Sequence, residues 1–233
     1  MQKIFNFFPL SIYKSSISLT DSEKNTLIDD IYKMEKNSQN LKYKAKNSAW
    51  TGDTQGFEFL HNNSNFEKLF KEIYKSIIEY LESLSVDHSQ LNIFFQRSWA
   101  TISRNGENIE NHRHAQSHIS FAYYLKKKDN DSKITFYDDH RHNEIIPALF
   151  SSATLFDKGL TKSRGILNSP VIIFDTKEDD LIIFPSKTLH GTQRGQDNDE
   201  RISISADIVL LAKDSKNLEH LSPSIDKWKL FSN

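Results

Sequence analysis

The sequence predicts a mainly β protein of the α+β class, in which helices precede one antiparallel β-domain. Two observations carry this prediction. Apolar residues recur at helical spacing only in the N-terminal part of the chain. From Leu91 onward the pattern changes to short segments rich in β-branched and aromatic residues, separated by polar turns, with no helical period between them. Strands that follow one another without intervening helices favour a sandwich, a jelly roll or a barrel.

Two helices are predicted before the β-domain. The first is capped by Asp21 or Ser22 and carries an apolar face at helical spacing (Leu27, Ile28, Ile31 and Met34). The second runs from about Ser64 to Leu84, and its apolar stripe comprises Phe66, Leu69, Phe70, Ile73, Tyr74, Ile77, Ile78 and Leu81. Such a stripe is typical of a packing face, so we expect both helices to cover the β-domain.

The predicted strands occupy the second half of the chain. They are Leu91–Phe95, Ser98–Ser103, Ile119–Leu125, Lys133–Tyr137, Val171–Phe174, Leu181–Phe184 and Ile202–Leu211. The segment from Asn143 to Asn168 has no clear period, and an irregular segment of this length in a compact domain is often functional. We expect an N-terminal strand and the helices, in residues 1–90, to support a β core at 91–213, with a C-terminal extension at 214–233, in a single structural domain.

Composition excludes several classes of function. The 233 residues carry a formal net charge of -1, so the chain lacks the positive field that bulk nucleic acid or an acidic membrane requires. The chain has no cysteine, which excludes thiolate catalysis and cysteine-ligated metals and leaves any metal to His, Asp and Glu. No segment reaches the roughly 18 uninterrupted apolar residues of a membrane span, so we expect a cytoplasmic protein.

A pair of histidines is the first candidate metal site. His112 and His114 are two residues apart, and on a strand such residues point to the same face and could bind one ion. Imidazole is a good ligand for iron, zinc, copper and nickel. His190 follows a predicted buried strand and a break at Pro185, which places it at a strand end. The alternative interpretation of the His-x-His pair is a polar loop that precedes a strand.

Arg201 and Ser203 add a candidate anion site. They share one face of the next predicted strand, and an arginine guanidinium can bind a carboxylate with two parallel hydrogen bonds. On strand Ile119–Leu125 the small and polar residues Ser120 and Ala122 share a face with Tyr124, and this face is the expected side of the pocket.

These segments together resemble a known family. The pattern His-x-His-x-x-Ser-x-x-Ser-x-x-Tyr-Tyr-Leu at His112–Leu125, then Phe-Pro-Ser-x-x-x-His at Phe184–His190 and Arg-x-Ser at Arg201–Ser203, resembles the bacterial and phage 2-oxoglutarate/Fe(II)-dependent oxygenases that are related to prolyl hydroxylases. The resemblance covers Trp99 to Leu211. It implies a double-stranded β-helix, the cupin-like form of the jelly roll, with the N-terminal helices packed on it.

The resemblance also implies cofactors and site residues. Fe(II), 2-oxoglutarate as cosubstrate and O2 are the implied cofactors of a dioxygenase that hydroxylates its substrate and releases succinate and CO2. His112 and His190 match the two histidine ligands of the superfamily. Arg201, assisted by Ser203, matches the arginine that binds the distal carboxylate of 2-oxoglutarate, and Tyr124 matches a tyrosine that hydrogen-bonds the same group.

The third ligand departs from the superfamily pattern. His114 stands where a carboxylate is usual, so the resemblance implies a catalytic centre of three histidines, His112, His114 and His190. Asp138, Asp139 or a water molecule are alternatives to His114 as the third ligand. His118 is a possible fourth ligand.

Two other functions fit parts of the pattern. A cupin-type dioxygenase or isomerase that does not use 2-oxoglutarate could bind its metal through His112, His114, His118 and His190, but it has no obvious use for Arg201. A non-catalytic β-sandwich that binds a partner would make the order of these residues coincidental. The sequence does not identify the substrate, which we expect to be a small molecule or a peptide, and it does not predict an oligomeric state.

Overall fold

A computed structural model describes residues 3–38, 47–128, 132–195 and 200–231. The helices are α1 (Asp21–Asn37), α2 (Glu67–Ser83) and α3 (Ala153–Asp157). The strands are β1 (Tyr13–Ser16), β2 (Trp50–Thr51), β3 (Leu91–Ser103), β4 (Ile119–Lys126), β5 (Ile134–Tyr137), β6 (Val171–Phe174), β7 (Asp180–Pro185), β8 (His190–Thr192) and β9 (Arg201–Ala212).

The larger sheet has six strands in the order β1-β7-β4-β9-β3-β2, and all its pairs are antiparallel. Its strands alternate between two environments because successive side chains of a strand point to opposite faces. One face is apolar and packs against the helices: the Phe121 ring on β4 lies 6.4 Å from that of Phe70 on α2. The opposite face carries the small and polar residues of β4 and β9. All three residues that were predicted to share this face (Ser120, Ala122 and Tyr124) line one cavity, which confirms that prediction.

The smaller sheet has three antiparallel strands in the order β6-β5-β8. Ile134 and Phe136 of β5 form a second apolar cluster with Tyr124, Ile182 and Phe184 of the larger sheet. The two sheets therefore face each other, with helices on the outer face of the larger one. Antiparallel sheets in this arrangement confirm the predicted double-stranded β-helix; the sheets do not close into a barrel.

Both predicted helices form, with shifted starts. α1 begins at Asp21, and Thr20 and Glu23 form a reciprocal capping box at its N-terminus. α2 begins at Glu67 because Asn63 caps a short 3-10 turn over Ser64–Phe66 first. No helix among the described residues combines the length and apolar character needed to cross a membrane.

The predicted strands form, with one merger, but the short strands β2 and β8 were not predicted. The two segments predicted between Leu91 and Ser103 form the single strand β3, which is irregular between Phe95 and Arg97 where it pairs with β9. The aperiodic segment from Asn143 to Asn168 contains α3 and several turns.

Candidate metal centre

The three candidate histidines meet where the two sheets come together. The backbone N–H of His112 donates to the carbonyl of His190 at 2.8 Å, and the N–H of His190 donates back to His112 at 3.0 Å. The N–H of His114 donates to the carbonyl of Ser186, at the end of β7, at 3.0 Å. His112 and His114 do not lie on a regular strand: His112 forms an isolated bridge, and the chain turns at residues 115–116 before β4 begins.

A close backbone approach holds this junction together. A Cβ atom at Gly191 would lie 2.5 Å from the Asn111 side-chain oxygen and 3.1 Å from the carbonyl oxygen of Ile109. A larger residue would therefore push β8 away from the segment that carries His112.

The imidazole rings point their Nε2 atoms toward one another. Nδ1 of His112 lies 2.8 Å from the carbonyl oxygen of Glu110, and Nδ1 of His190 lies 2.8 Å from that of Thr188. A carbonyl oxygen only accepts, so each Nδ1 carries the proton and each neutral ring keeps a lone pair on Nε2. The Nε2 atoms of His112 and His114 lie 3.1 Å apart, and all three residues offer ligand atoms within 4.8 Å of one another.

Burial keeps two of these rings neutral. Burial is the largest cause that lowers the pKa of His190, to about 3, and the neighbouring His112 lowers it further. Burial also lowers the pKa of His112. Lone pairs that face one another in a buried cluster repel unless a cation lies between them, so this donor set suits a metal ion.

His114 has a different partner from the other two. Its Nδ1 lies 2.7 Å from Oδ1 of Asp207, which is fully buried in β9. Its ring stacks on Trp99, with centroids 5.7 Å apart. Burial raises the pKa of Asp207, but the hydrogen bond and electrostatic attraction of His114, together with hydrogen bonds from Gln116 and Ser117, more than offset this and leave the pKa below its ordinary value.

Asp207 was not predicted as a site residue from the sequence. Its signal in the sequence is an acidic residue inside an otherwise small and apolar strand, Arg201–Ala212. Such a residue is costly to bury without a partner, but the sequence alone does not say which partner it meets.

A buried serine network continues from Asp207. Ser117 Oγ lies 3.2 Å from Oδ1 of Asp207 and 2.8 Å from Ser186 Oγ, which in turn lies 2.8 Å from Ser120 Oγ. Ser117 and Ser120 are the two serines of the first motif, and Ser186 is the serine of the second. The motif serines therefore connect the His112–His114 segment to the ends of β4 and β7.

Arg201 points into the protein. Its side chain is 1% exposed; Nη1 donates to the carbonyl and hydroxyl of Ser132, and Nη2 donates to Ser103 Oγ at 3.0 Å. Nε is buried and has no hydrogen-bond acceptor, and no described carboxylate forms an ion pair with the guanidinium. The neighbouring Glu200 pairs with Arg104 and Lys126 instead, and Asp199 lies outside the described residues.

One cavity joins the histidines to Arg201. It measures about 330 Å³, and its wall includes all six residues that the sequence analysis selected (His112, His114, Tyr124, His190, Arg201 and Ser203). Tyr124 and Ser203 face each other in the register of β4 and β9. Asp53, from the N-terminal part of the chain, also lines the cavity; its Oδ1 is buried without a partner, while Oδ2 lies 3.5 Å from Arg97.

The alternative ligands lie elsewhere. His118 is exposed, and its Nδ1 accepts a hydrogen bond from the backbone N–H of Leu210. Asp138 accepts the backbone N–H groups of His140 and Arg141, and Asp139 pairs with Arg113 at 2.7 Å. None of these three belongs to the cluster of ligand atoms around His112.

Known proteins provide an independent comparison. Residues 97–207 match the sequence model of the family described as "Putative 2OG-Fe(II) oxygenase". No curated protein matches the chain in sequence.

Solved structures share the fold. The non-heme alpha ketoglutarate dependent carbocyclase SnoK from nogalamycin biosynthesis has a TM-score of 0.56 and 10% identity, covering 92% of this chain and 87% of its own. A prolyl-4-hydroxylase of Pseudomonas putida has a TM-score of 0.51 and 8% identity, with 85% and 92% covered. HygX of Streptomyces hygroscopicus, solved with nickel and 2-oxoglutarate bound, has a TM-score of 0.51 and 8% identity, with 86% and 83% covered.

The family match confirms the resemblance drawn from the motifs and favours an oxygenase over the cupin and the non-catalytic alternatives. The solved structures show that the fold is shared. Residues 97–207 are thus similar to the 2OG-Fe(II) oxygenases, and the match indicates a 2-oxoglutarate-dependent oxygenase whose cofactors are Fe(II), 2-oxoglutarate and O2.

Proposed function

We propose that His112, His114 and His190 are the Fe(II) ligands, each through Nε2. The observation that carries this proposal is the direction of the three rings: every Nδ1 is held by an oxygen atom outside the cluster, so every Nε2 is turned inward. Fixing one ring nitrogen with an outer hydrogen bond is how proteins orient a metal-binding imidazole. A centre of this kind uses three histidines where the wider superfamily uses two histidines and a carboxylate.

Arg201 is proposed to bind the distal carboxylate of 2-oxoglutarate. A buried guanidinium without a carboxylate partner is unfavourable, and Nε still lacks an acceptor, so the site suits an anion. Ser203 and Tyr124 lie on the neighbouring wall of the same cavity and would hydrogen-bond the same carboxylate.

The reaction proposed is hydroxylation of a small molecule or a peptide. Fe(II) with 2-oxoglutarate and O2 supplies the oxidising chemistry, and the protein orients the groups and excludes water. Ile134 and Phe184, two members of the second apolar cluster, line one side of the cavity. On another side, Asp53 Oδ1 is available to accept a hydrogen bond from an N–H or O–H group of the substrate.

The chain is proposed to work as one unit. The core at residues 91–213 carries every proposed ligand, and residues 1–90 support it: β1 pairs with β7, β2 pairs with β3, and Asp53 extends the cavity wall. Residues 214–233 form a C-terminal extension.

Anaerobic absorption spectroscopy tests this proposal. Adding Fe(II) and 2-oxoglutarate to the metal-free protein should produce the weak visible charge-transfer band of the chelate, and His190→Ala should abolish it. Arg201→Ala should require more 2-oxoglutarate to reach the same band, whereas the exposed His140→Ala should behave as the wild type. A wild-type protein that binds Fe(II) but gives no band would contradict the use of 2-oxoglutarate at this centre.

A further inference from the structure

Among the three histidine rings, one has a charged partner. Carbonyl oxygens hold Nδ1 of His112 and of His190, but a carboxylate, that of Asp207, holds Nδ1 of His114 at 2.7 Å. The ring of His114 therefore bridges the space between the Nε2 cluster and a buried negative charge.

Asp207 has no lysine or arginine partner among the described residues, and its basic neighbour is the neutral ring of His114. The Asp207 side chain is fully buried. Arg97 stands opposite Asp207 in the strand register, yet its guanidinium lies near Asp53 instead. Burying an unpaired carboxylate is costly, so the fold retains a charge that the packing of β9 does not require.

Neutral donors hold Asp207 in place. Gln116 Nε2 lies 2.8 Å from Oδ2, and Ser117 Oγ lies 3.2 Å from Oδ1. Both donors come from the turn that follows His114, so the carboxylate and the imidazole are fixed relative to each other. Hydrogen bonds to an ionised carboxylate stabilise the charged form.

We propose that Asp207 is a positioning residue that supplies, through His114, the negative charge of a metal centre whose direct ligands are all neutral. This inference rests on the proposed function of the three histidines. With three neutral imidazoles, a bound divalent ion keeps both its positive charges. A carboxylate on the far side of one imidazole makes that ring a stronger donor and offsets one of these charges.

The proposal also concerns the choice of residue at position 114. A carboxylate at this position would meet the Asp207 carboxylate where the Nδ1–H of His114 now donates, and two adjacent anions repel each other. The residues at 114 and 207 are therefore coupled: a histidine at 114 requires an acid at 207, whereas an acid at 114 requires its absence.

Co(II) titration of the metal-free full chain at one fixed pH tests this coupling, with calorimetry and the visible absorption of the bound ion as readouts. Asp207→Asn, which keeps the shape and can still accept from Nδ1, should weaken Co(II) binding on the order of 10–100-fold. In the His114→Asp background the sign should reverse, and Asp207→Asn should strengthen Co(II) binding. Asp180→Asn is the matched control, because Asp180 is a buried carboxylate of β7 that pairs with Lys14 away from the cavity; it should leave Co(II) affinity unchanged.

A second pair of variants separates charge from shape. Gln116→Ala and Ser117→Ala each withdraw one donor from Asp207 and keep its charge, so both should bind Co(II) about as tightly as the wild type. A loss as large as that of Asp207→Asn would show that the network acts by its shape and would overturn the proposal. The proposal would also be overturned if Asp207→Asn bound Co(II) as tightly as the wild type. It would be overturned as well if Asp207→Asn weakened Co(II) binding by the same factor in the wild type and in His114→Asp. If the three histidines do not form a metal centre, the wild type itself should bind no Co(II), and this result differs from each of those that would overturn only the role of Asp207.

Discussion

His112 and His190 exchange two backbone hydrogen bonds, of 2.8 and 3.0 Å, so two proposed ligands from distant parts of the sequence form one antiparallel pair. Their ring centroids lie 4.4 Å apart. The distance between the two rings is thus set by the backbone of the junction as well as by side-chain packing.

Gly191→Ala should therefore weaken metal binding. The new Cβ would lie 3.1 Å from the carbonyl oxygen of Ile109, so the segment before His112 must shift by some tenths of an ångström. Metal ligands need placement within about 0.5 Å, and we expect a loss of Co(II) affinity on the order of tenfold. Gly165→Ala is the control, because a Cβ at Gly165 meets nothing within 4 Å. Equal affinity in both variants would show that the close approach at Gly191 does not matter to the centre.

Removing a proposed ligand should abolish stoichiometric iron binding. His112→Ala and His190→Ala each leave two of three ligands, and elemental analysis of protein loaded with Fe(II) under anaerobic conditions measures the loss. His140→Ala removes an exposed ring that stacks on His142, 5.3 Å away, and should retain full iron content. Full retention of iron in His190→Ala would show that the centre is wrongly assigned.

The metal-free protein should lose stability as the pH falls. Burial lowers the pKa of His190 from 6.5 to about 3. Between these values the unfolded chain binds a proton at this ring and the folded chain does not, so the free energy of unfolding decreases with decreasing pH by up to about 1.4 kcal/mol per unit. Urea unfolding at about pH 6.5 and about pH 5 should show a wild-type loss roughly 1–2 kcal/mol larger than that of His190→Gln, which cannot titrate. Identical losses would mean that His190 is protonated in the folded state.

Arg201→Ala should raise the 2-oxoglutarate concentration needed for half-maximal succinate formation. The substitution leaves a buried carboxylate without its charge-assisted partner, a loss on the order of 2–5 kcal/mol. Since about 1.4 kcal/mol is tenfold, half-saturation should rise by at least about thirtyfold. Iron binding should survive because no ligand is changed, and Arg201→Lys should retain part of the affinity. Unchanged half-saturation in both variants would contradict the role of Arg201.

Much of the fold could be predicted from the sequence because hydrophobic periodicity is local. The stripe of α2 and the alternation of β4 are each visible within one segment. Boundaries were less accurate where a neighbouring turn decides them, as at Asn63, whose side chain caps a 3-10 turn ahead of α2.

The site was predictable in part. His112, His190 and Arg201 follow from ordered motifs, but strand spacing is not what brings His112 and His114 together, because this segment pairs first with β8 and then with the end of β7. Asp207 and Asp53 come into contact with the site only through tertiary packing, so no local pattern could assign them to it.

The most direct test is a crystal structure of the protein with Co(II) and 2-oxoglutarate, in which anomalous scattering locates the metal. We expect one ion with Nε2 of His112, His114 and His190 at about 2.0–2.1 Å, the distance usual for such metal–imidazole bonds. No protein carboxylate should coordinate it, and Asp207 should remain bonded to His114. An ion coordinated by Asp207 or Asp53, or bound away from the three histidines, would contradict this account.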